Sequence, residues 1–121
     1  MQAGIIGCGV YIPRLRIKRE EYQRVWGYFS PRGVEEKSVA DFDEDSVTMG
    51  VEAASNALRN ARVDASEVDV VYFASTSPPY AEKQNASTIA AALGCRSDIS
   101  TVDIASSVRS GASALLSCLD F

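Results

Sequence analysis

The stretch Thr101–Leu116, TVDIASSVRSGASALL, predicts a strand that passes through a short turn of small residues straight into a helix. A corner of this kind suits a nucleophile. The N-terminus of a helix presents unpaired backbone N–H groups and a partial positive charge, and both stabilise a thiolate or an oxyanion. The first helical position, however, is Val108, and its side chain has no such chemistry.

The rest of the chain predicts alternating helices and strands around this corner. One helix is predicted from about residue 44 to 61, because apolar side chains recur there at intervals of three or four residues. Three shorter helices are predicted at 18–27, at 85–94 and from about 108 onward. Three buried strands are predicted at 3–12, 68–76 and 99–105.

This order of elements predicts an α/β fold. Strands that alternate with helices imply right-handed crossovers and a three-stranded parallel sheet core flanked by helices. No linker or internal repeat interrupts residues 1–121, so we expect a single domain. Three strands are few for such a sheet, and the last helix keeps its apolar pattern to the final residues, so we expect this domain to be truncated.

The composition excludes several classes of protein. The chain has 121 residues, of which 46% are hydrophobic and 23% charged, as is typical of one globular domain. A net charge of -4 without a Lys/Arg-rich run argues against a nucleic-acid partner. No apolar run approaches the ~20 residues that span a bilayer, and the N-terminus lacks a basic region, so neither a membrane segment nor a secretory signal is expected.

Cysteine and histidine counts restrict the chemistry further. The three cysteines are odd in number and widely spaced, which favours a reducing cytoplasm over a disulfide framework or a zinc site. The chain contains no histidine, so it cannot assemble a Ser-His-Asp or Cys-His arrangement by itself. No metal site is expected with so few ligands.

Two short motifs have ordinary structural interpretations. Gly7 and Gly9 form a GxG pattern, but Ile12 stands where a dinucleotide site needs a third glycine and Pro13 follows it. A tightly packed strand is the better interpretation. The sequence NAS at 85–87 matches a glycosylation acceptor, but without a secretory signal we interpret Asn85 as a helix cap.

A third motif consists of closely spaced carboxylates. Asp41, Asp43 and Asp45 have the spacing of a calcium loop, with Glu52 at the position of the bidentate ligand. Ser46 replaces the glycine that such a loop requires, and Glu52 falls inside the predicted helix. We therefore interpret these carboxylates as residues gathered at a helix N-terminus, where the helix dipole favours negative charge.

Four stretches together carry a family resemblance: GCGVYIPRLRIKREEYQRVWG, GVEEKSVADFDEDSVTMGVEAASNAL, VVYFASTSPPYAEKQNASTIAAALG and DIASSVRSGASAL. In order and spacing they resemble the N-terminal part of the 3-hydroxy-3-methylglutaryl-CoA synthases, especially the archaeal type. These enzymes belong to the thiolase superfamily, as do the ketoacyl synthase III enzymes. The resemblance covers nearly the whole chain and implies a partial thiolase-like fold.

The resemblance also implies where catalytic residues should stand. The family has a nucleophilic cysteine with an aspartate five residues before it and a glycine three residues after it. Counting from Asp103 and from Gly111 gives the same position, Val108. The glutamate that serves the synthases as acid and base corresponds to Thr76, where ketoacyl synthase III enzymes also tend to carry threonine. By the resemblance, neither catalytic group of a synthase is intact.

Other side chains are poor substitutes for the missing nucleophile. The serines around the corner lack a base that could activate them, and the cysteines are predicted in a buried strand, in a loop and nearly three turns along the last helix. The serines are Ser106, Ser107 and Ser110, and the cysteines are Cys8, Cys95 and Cys118.

Two functions remain open at this stage. The chain is either a segment of an acyl-CoA condensing acyltransferase, inactive by itself, or a non-catalytic thiolase-fold subunit that pairs with a related enzyme. The resemblance implies a second half that carries further catalytic residues and much of the coenzyme A site, and two strands absent from the first half. It implies a coenzyme A thioester as substrate and no cofactor. A partner is expected, either a complementary thiolase-fold chain or a second copy joined through strand 99–105.

Overall fold

The computed structural model of the chain describes residues 3–105 and 107–121, and no helix within these residues is long and apolar enough to cross a membrane. It contains four strands: β1 (Leu15–Lys18), β2 (Glu36–Val39), β3 (Val70–Ala74) and β4 (Ser100–Ile104). It contains four α-helices: α1 (Arg19–Trp26), α2 (Ser46–Ala61), α3 (Asn85–Leu93) and α4 (Ser110–Leu119). The chain divides into two compact units, one formed by Ile12–Glu44 and the other by the remainder.

The smaller unit contains an antiparallel pair of strands and one helix. β1 pairs with β2, with Leu15 opposite Val39. Helix α1 ends as predicted at Gly27, whose φ of 78° is readily adopted by glycine. Neither strand is predicted from the sequence, because the alternation of β1 (LRIK) covers only four residues and β2 (EKSV) has no alternation. Their main-chain pairing and the ion pair between Arg16 and Glu36, at 3.4 Å, hold them together.

The larger unit contains the parallel sheet. β3 and β4 pair in parallel, with Val70 opposite Ser100 and Ala74 opposite Ile104. Both strands lie within the predicted ranges, and helix α4 begins at Ser110, within two residues of the predicted start. The predictions for these elements, for α2 and for α3 are confirmed.

The core of this unit is small and forms where α2 and α3 meet β3. Its central cluster consists of Val47, Phe73, Ala86 and Ile89, and Ala90 and Ala114 are also buried. Phe73 has only 7% of its surface exposed and is the one aromatic residue in this cluster. Because full burial of a large apolar side chain contributes roughly 1.5–3 kcal/mol, so small a core gives the unit a modest stability.

The prediction of a strand over residues 3–12 is wrong, and with it the prediction of three parallel strands. The described part of this segment contains neither helix nor strand. Side chains of α2 bond its backbone instead: Cys8 N donates to Asn60 Oδ1 (3.3 Å), and Asn56 Nδ2 donates to Val10 O (3.1 Å). Cys8 is exposed rather than buried. The observed parallel sheet is therefore two-stranded.

The glycines of the segment explain how it approaches α2 so closely. A Cβ atom on Gly7 would lie 2.7 Å from Ala61 Cβ. A Cβ atom on Gly9 would overlap the backbone of α2 at Ala53 and Ala57. The interpretation of the GxG pattern as close packing is thus supported, although the packing is onto a helix.

Replacing Gly9 with alanine should destabilise this unit, because the added methyl group meets rigid helical backbone rather than a flexible side chain. We expect Gly9→Ala to lower the free energy of unfolding by about 1–3 kcal/mol, the usual cost of overpacking. Gly4→Ala is the matched control, since nothing lies within 4 Å of a Cβ atom there. Urea unfolding followed by circular dichroism measures both, and equal stabilities of the two variants would contradict the prediction.

Candidate functional site

The corner between β4 and α4 is held by hydrogen bonds among its own serines. Ser110 is buried, with 3% of its surface exposed, and its Oγ donates to Ser107 O at 2.7 Å. The same oxygen accepts from Ser107 N (3.2 Å), and Ser107 Oγ accepts from Arg109 N (3.2 Å). Both hydroxyls are therefore engaged in shaping the turn. Ser106 lies outside the described residues.

Val108 projects from this corner into solvent. Its side chain is 96% exposed, although an apolar side chain gains nothing from such a position. It stands two residues before α4, close to the partial positive charge at the start of that helix. The position thus has the placement that a reactive side chain would need, but it is occupied by an unreactive one.

A pocket of about 280 Å³ brings the two predicted catalytic positions together. Val108 and Thr76, the latter in the loop just after β3, both line it. The remaining lining residues are Ala74, Ser75, Ser107, Ser110 and Gly111. Among these described residues, the functional side-chain groups are hydroxyls alone. The described part of the lining therefore supplies neither a thiol nor an acid or base that titrates near neutral pH.

None of the three cysteines lines this pocket. Cys95 follows α3, as predicted, and is partly buried, which raises the pKa of its thiol. Cys118 is exposed near the end of α4, and Cys8 is exposed on the N-terminal segment. A raised pKa lowers the thiolate fraction of Cys95, so burial makes this thiol less nucleophilic.

Asp103, the aspartate that locates the missing cysteine, has a structural task in this fold. Its Oδ2 accepts from Asn85 N (2.7 Å) and Asn85 Nδ2 (2.8 Å), and its Oδ1 accepts from Ala86 N (2.7 Å). It therefore caps the first turn of α3 from the neighbouring strand. Burial alone would raise the pKa of this carboxyl, but these hydrogen bonds outweigh it and hold the pKa below its usual value.

The prediction of Asn85 as a helix cap needs correction. Asn85 is the first residue of α3 and is almost fully buried, with 1% exposed. It donates to Asp103 and to the carbonyls of Tyr80 and Lys83, whereas its own Oδ1 has no hydrogen-bond partner within the described structure. The capping acceptor comes from eighteen residues further along the chain, because α3 packs directly against β4.

Of the three aspartates in the carboxylate motif, Asp45 lies at the helix N-terminus as expected from the sequence. Asp45 caps α2: its Oδ1 accepts from Val47 N and Thr48 N, both at 2.8 Å, and Thr48 Oγ1 accepts from Asp45 N at 2.9 Å. Within residues 3–105 and 107–121, no three acidic, cysteine or histidine side chains cluster closely enough to hold a metal ion.

Comparison with known sequences gives a consistent set of relatives, although no protein-family model matches the chain. It is 46% identical over 118 residues to the hydroxymethylglutaryl-CoA synthase of Thermococcus onnurineus. It is 45% identical over 122 residues to that of Methanothermobacter thermautotrophicus. These alignments cover 98% and 97% of this chain but 33% and 35% of the relatives. The chain thus spans about a third of the length of the curated relatives it matches.

Solved structures agree with this result. The priming β-ketosynthase of the R1128 polyketide pathway superimposes with a TM-score of 0.88 and 26% identity, over 98% of this chain and 36% of that one. The 3-oxoacyl-[acyl-carrier-protein] synthase III of Aquifex aeolicus gives a TM-score of 0.85 and 24% identity, over 96% of this chain and 39% of its own. The chain therefore has the thiolase-like fold of the condensing enzymes.

Among the condensing enzymes, sequence similarity points to one group. The chain is homologous to the N-terminal region of the hydroxymethylglutaryl-CoA synthases. The resemblance noted in the sequence is confirmed.

Proposed function

We propose that the chain is a segment of a hydroxymethylglutaryl-CoA synthase-like acyltransferase and that it does not carry out acyl transfer by itself. The observation that carries this proposal is the pocket shared by Thr76 and Val108, in which hydroxyls are the only functional side-chain groups of the described lining. Homology to the synthases supports the reaction class, and the chemistry of the pocket supports the lack of activity.

Acyl transfer through a covalent intermediate needs an activated nucleophile and a group that moves the proton. Valine at position 108 offers no atom that could attack a thioester. Ser107 and Ser110 have hydroxyls, but both are bonded within the turn and neither is bonded to a base. A threonine hydroxyl does not titrate near neutral pH, so Thr76 is a poor replacement for a catalytic carboxylate.

The ligand class follows from the same family. A coenzyme A thioester is the proposed ligand, and the reaction class requires no cofactor. Three free cysteines support a reducing compartment such as the cytoplasm.

Intact-mass spectrometry tests the proposal. After incubation with acetyl-CoA or acetoacetyl-CoA, we expect the purified chain to keep its unmodified mass. A hydroxymethylglutaryl-CoA synthase from one of the archaeal relatives, treated in the same way, is the positive control. A stable acyl adduct that maps to any residue between 106 and 110 would overturn the proposal.

A second candidate is a non-catalytic thiolase-fold subunit that pairs with a second copy or with a related enzyme. The observation that favours it is β4, which pairs with β3 on one side and has no strand on its other side in the described sheet. An unpaired edge is a template for strand addition, and addition of an identical strand about a twofold axis gives a closed dimer. Association of the chain in solution tests this candidate, and the variants of Gln84 below carry that measurement.

A further inference from the structure

The outer edge of β4 can be assigned atom by atom. Ser100 N donates toward the start of β3 (3.1 Å), and Ile104 O accepts from the residue just after β3 (3.3 Å). In a parallel ladder, alternate residues direct their main-chain groups to the same neighbour. Ser100, Val102 and Ile104 therefore face β3, and Thr101 and Asp103 present their N–H and C=O groups to the opposite edge.

Gln84 occupies part of this edge. Its Nε2 donates to Thr101 O at 3.1 Å, which satisfies one of the two outward-facing carbonyls. Its Oε1 accepts from Thr101 Oγ1 (2.7 Å) and from Ser87 Oγ (2.8 Å), so both ends of the side-chain amide are held. A groove of about 390 Å³ follows the edge between residues 81–84 and residues 101–103. The amide of Gln84 therefore stands within a groove that borders an unpaired strand.

The edge is complementary to itself. An antiparallel pair centred on Val102 would place Thr101 of each copy opposite Asp103 of the other, and residues in such a pair exchange two main-chain hydrogen bonds. The two Val102 side chains, each 36% exposed, would meet at the twofold axis. The Asp103 carboxylates would not repel each other strongly there, because each is bonded to its own α3.

We propose that Gln84 gates the addition of a second copy of this chain to β4, because its amide holds the Thr101 carbonyl that a partner strand needs. The inference rests on the self-association proposed above and adds the residue that regulates it. A carbonyl oxygen can accept two hydrogen bonds, so the gate requires that the N–H of the partner approach through the space that the Gln84 amide fills in the groove. The wild-type edge is thus protected against loose pairing, and removal of the amide exposes the acceptor.

The dissociation constant of the dimer, compared between the wild type and Gln84→Ala, tests whether Gln84 opposes pairing. One hydrogen bond contributes roughly 0.5–1.5 kcal/mol net, and a symmetric dimer exchanges two of them, one from each copy, so Gln84→Ala should lower the dissociation constant of the dimer about 5- to 150-fold. Gln23→Ala, which removes the same side chain from the exposed surface of α1, is the matched control and should leave the constant unchanged. Sedimentation velocity at micromolar concentrations, with thermal melts to verify folding, gives the comparison.

The possible results distinguish the role of Gln84 from the self-association on which that role depends. Tighter dimers of Gln84→Ala, or a dimer formed only by this variant, support the gate. A wild-type dimer that is unaffected by the substitution overturns the gate and leaves self-association intact. Monomers in both cases overturn both proposals. Adding Val102→Lys to Gln84→Ala places two like charges at the twofold axis and should restore the monomer, and a dimer that persists would contradict pairing through β4.

Discussion

Replacing Asp103 with alanine should lower the free energy of unfolding by about 3 kcal/mol. Loss of a helix cap costs roughly 0.5–2 kcal/mol, and loss of a hydrogen bond to a charged group costs roughly 1.5–3 kcal/mol more. Both losses occur here, because the carboxylate caps the first turn of α3 and also accepts from the buried amide of Asn85. For a domain with a small core, a loss of this size is a large fraction of its total stability.

Asp98→Ala is the matched control for this variant. Asp98 is exposed and pairs with Arg96 at 3.0 Å, an arrangement typically worth at most about 1 kcal/mol. Urea unfolding of the three proteins gives the comparison. If Asp103→Ala loses no more stability than Asp98→Ala, the carboxylate does not anchor α3.

The same carboxylate predicts a dependence on pH. Because its pKa is lower in the folded state than in the unfolded chain, its contribution is present above the unfolded value of about 3.9 and is lost as pH falls through the folded value. The stability difference between the wild type and Asp103→Ala should therefore be constant near neutral pH. It should narrow as the solution is acidified below about pH 4.

Elements with a strong local pattern were predictable from the sequence. Helix α2 buries Val47 and partly buries Val51 on one face, which is what the three- and four-residue spacing of its apolar side chains requires. Strand β3 was recognisable by its unbroken β-branched and aromatic run, and Phe73 from that run lies in the core. In both cases the residues that make the element also make its tertiary contact.

The segment from residue 3 to 12 shows where this reasoning fails. An apolar run with glycines suits a buried strand, but it suits equally a chain that lies directly against a helix. The choice between these structures depends on what satisfies the backbone. Here the amides of Asn56 and Asn60 do so, and they lie about fifty residues further along the chain. No local pattern could reveal that arrangement.

The contacts of Asp103 and Gln84 could not be predicted either, because their partners are also distant in the sequence. Capping rules consider acceptors close in sequence to the helix, and Asp103 reaches α3 only because β4 runs beside it. Gln84 belongs to no recognisable motif. Its proposed role depends on the carbonyl of Thr101, which points to the outer edge of β4 and accepts from its side chain. By contrast, the pairing of Thr76 with Val108 in one pocket could be anticipated, because the family resemblance assigned both positions.

Replacing Val108 with cysteine should turn the unreactive corner into a reactive one. Position 108 is exposed, stands two residues before α4 and is followed by the cationic Arg109. A helix N-terminus and a neighbouring cation both favour thiolate over thiol, so we expect the pKa of the new cysteine to fall below the ordinary value of about 8.5. In Val108→Cys, alkylation of position 108 by iodoacetamide near pH 6.5 should be about tenfold faster than that of Cys118.

Cys118 is the internal control for this measurement, because it lies exposed on the same helix but near its C-terminal end, where the dipole no longer favours an anion. Peptide mapping after short exposures gives both rates from one sample. Val108→Ser should stay unmodified by acetyl-CoA under conditions in which Val108→Cys acquires an acetyl thioester, because serine would still lack a base. Equal alkylation rates at positions 108 and 118 would show that the corner does not activate a nucleophile. The lack of activity could then not be attributed to the side chain at position 108 alone.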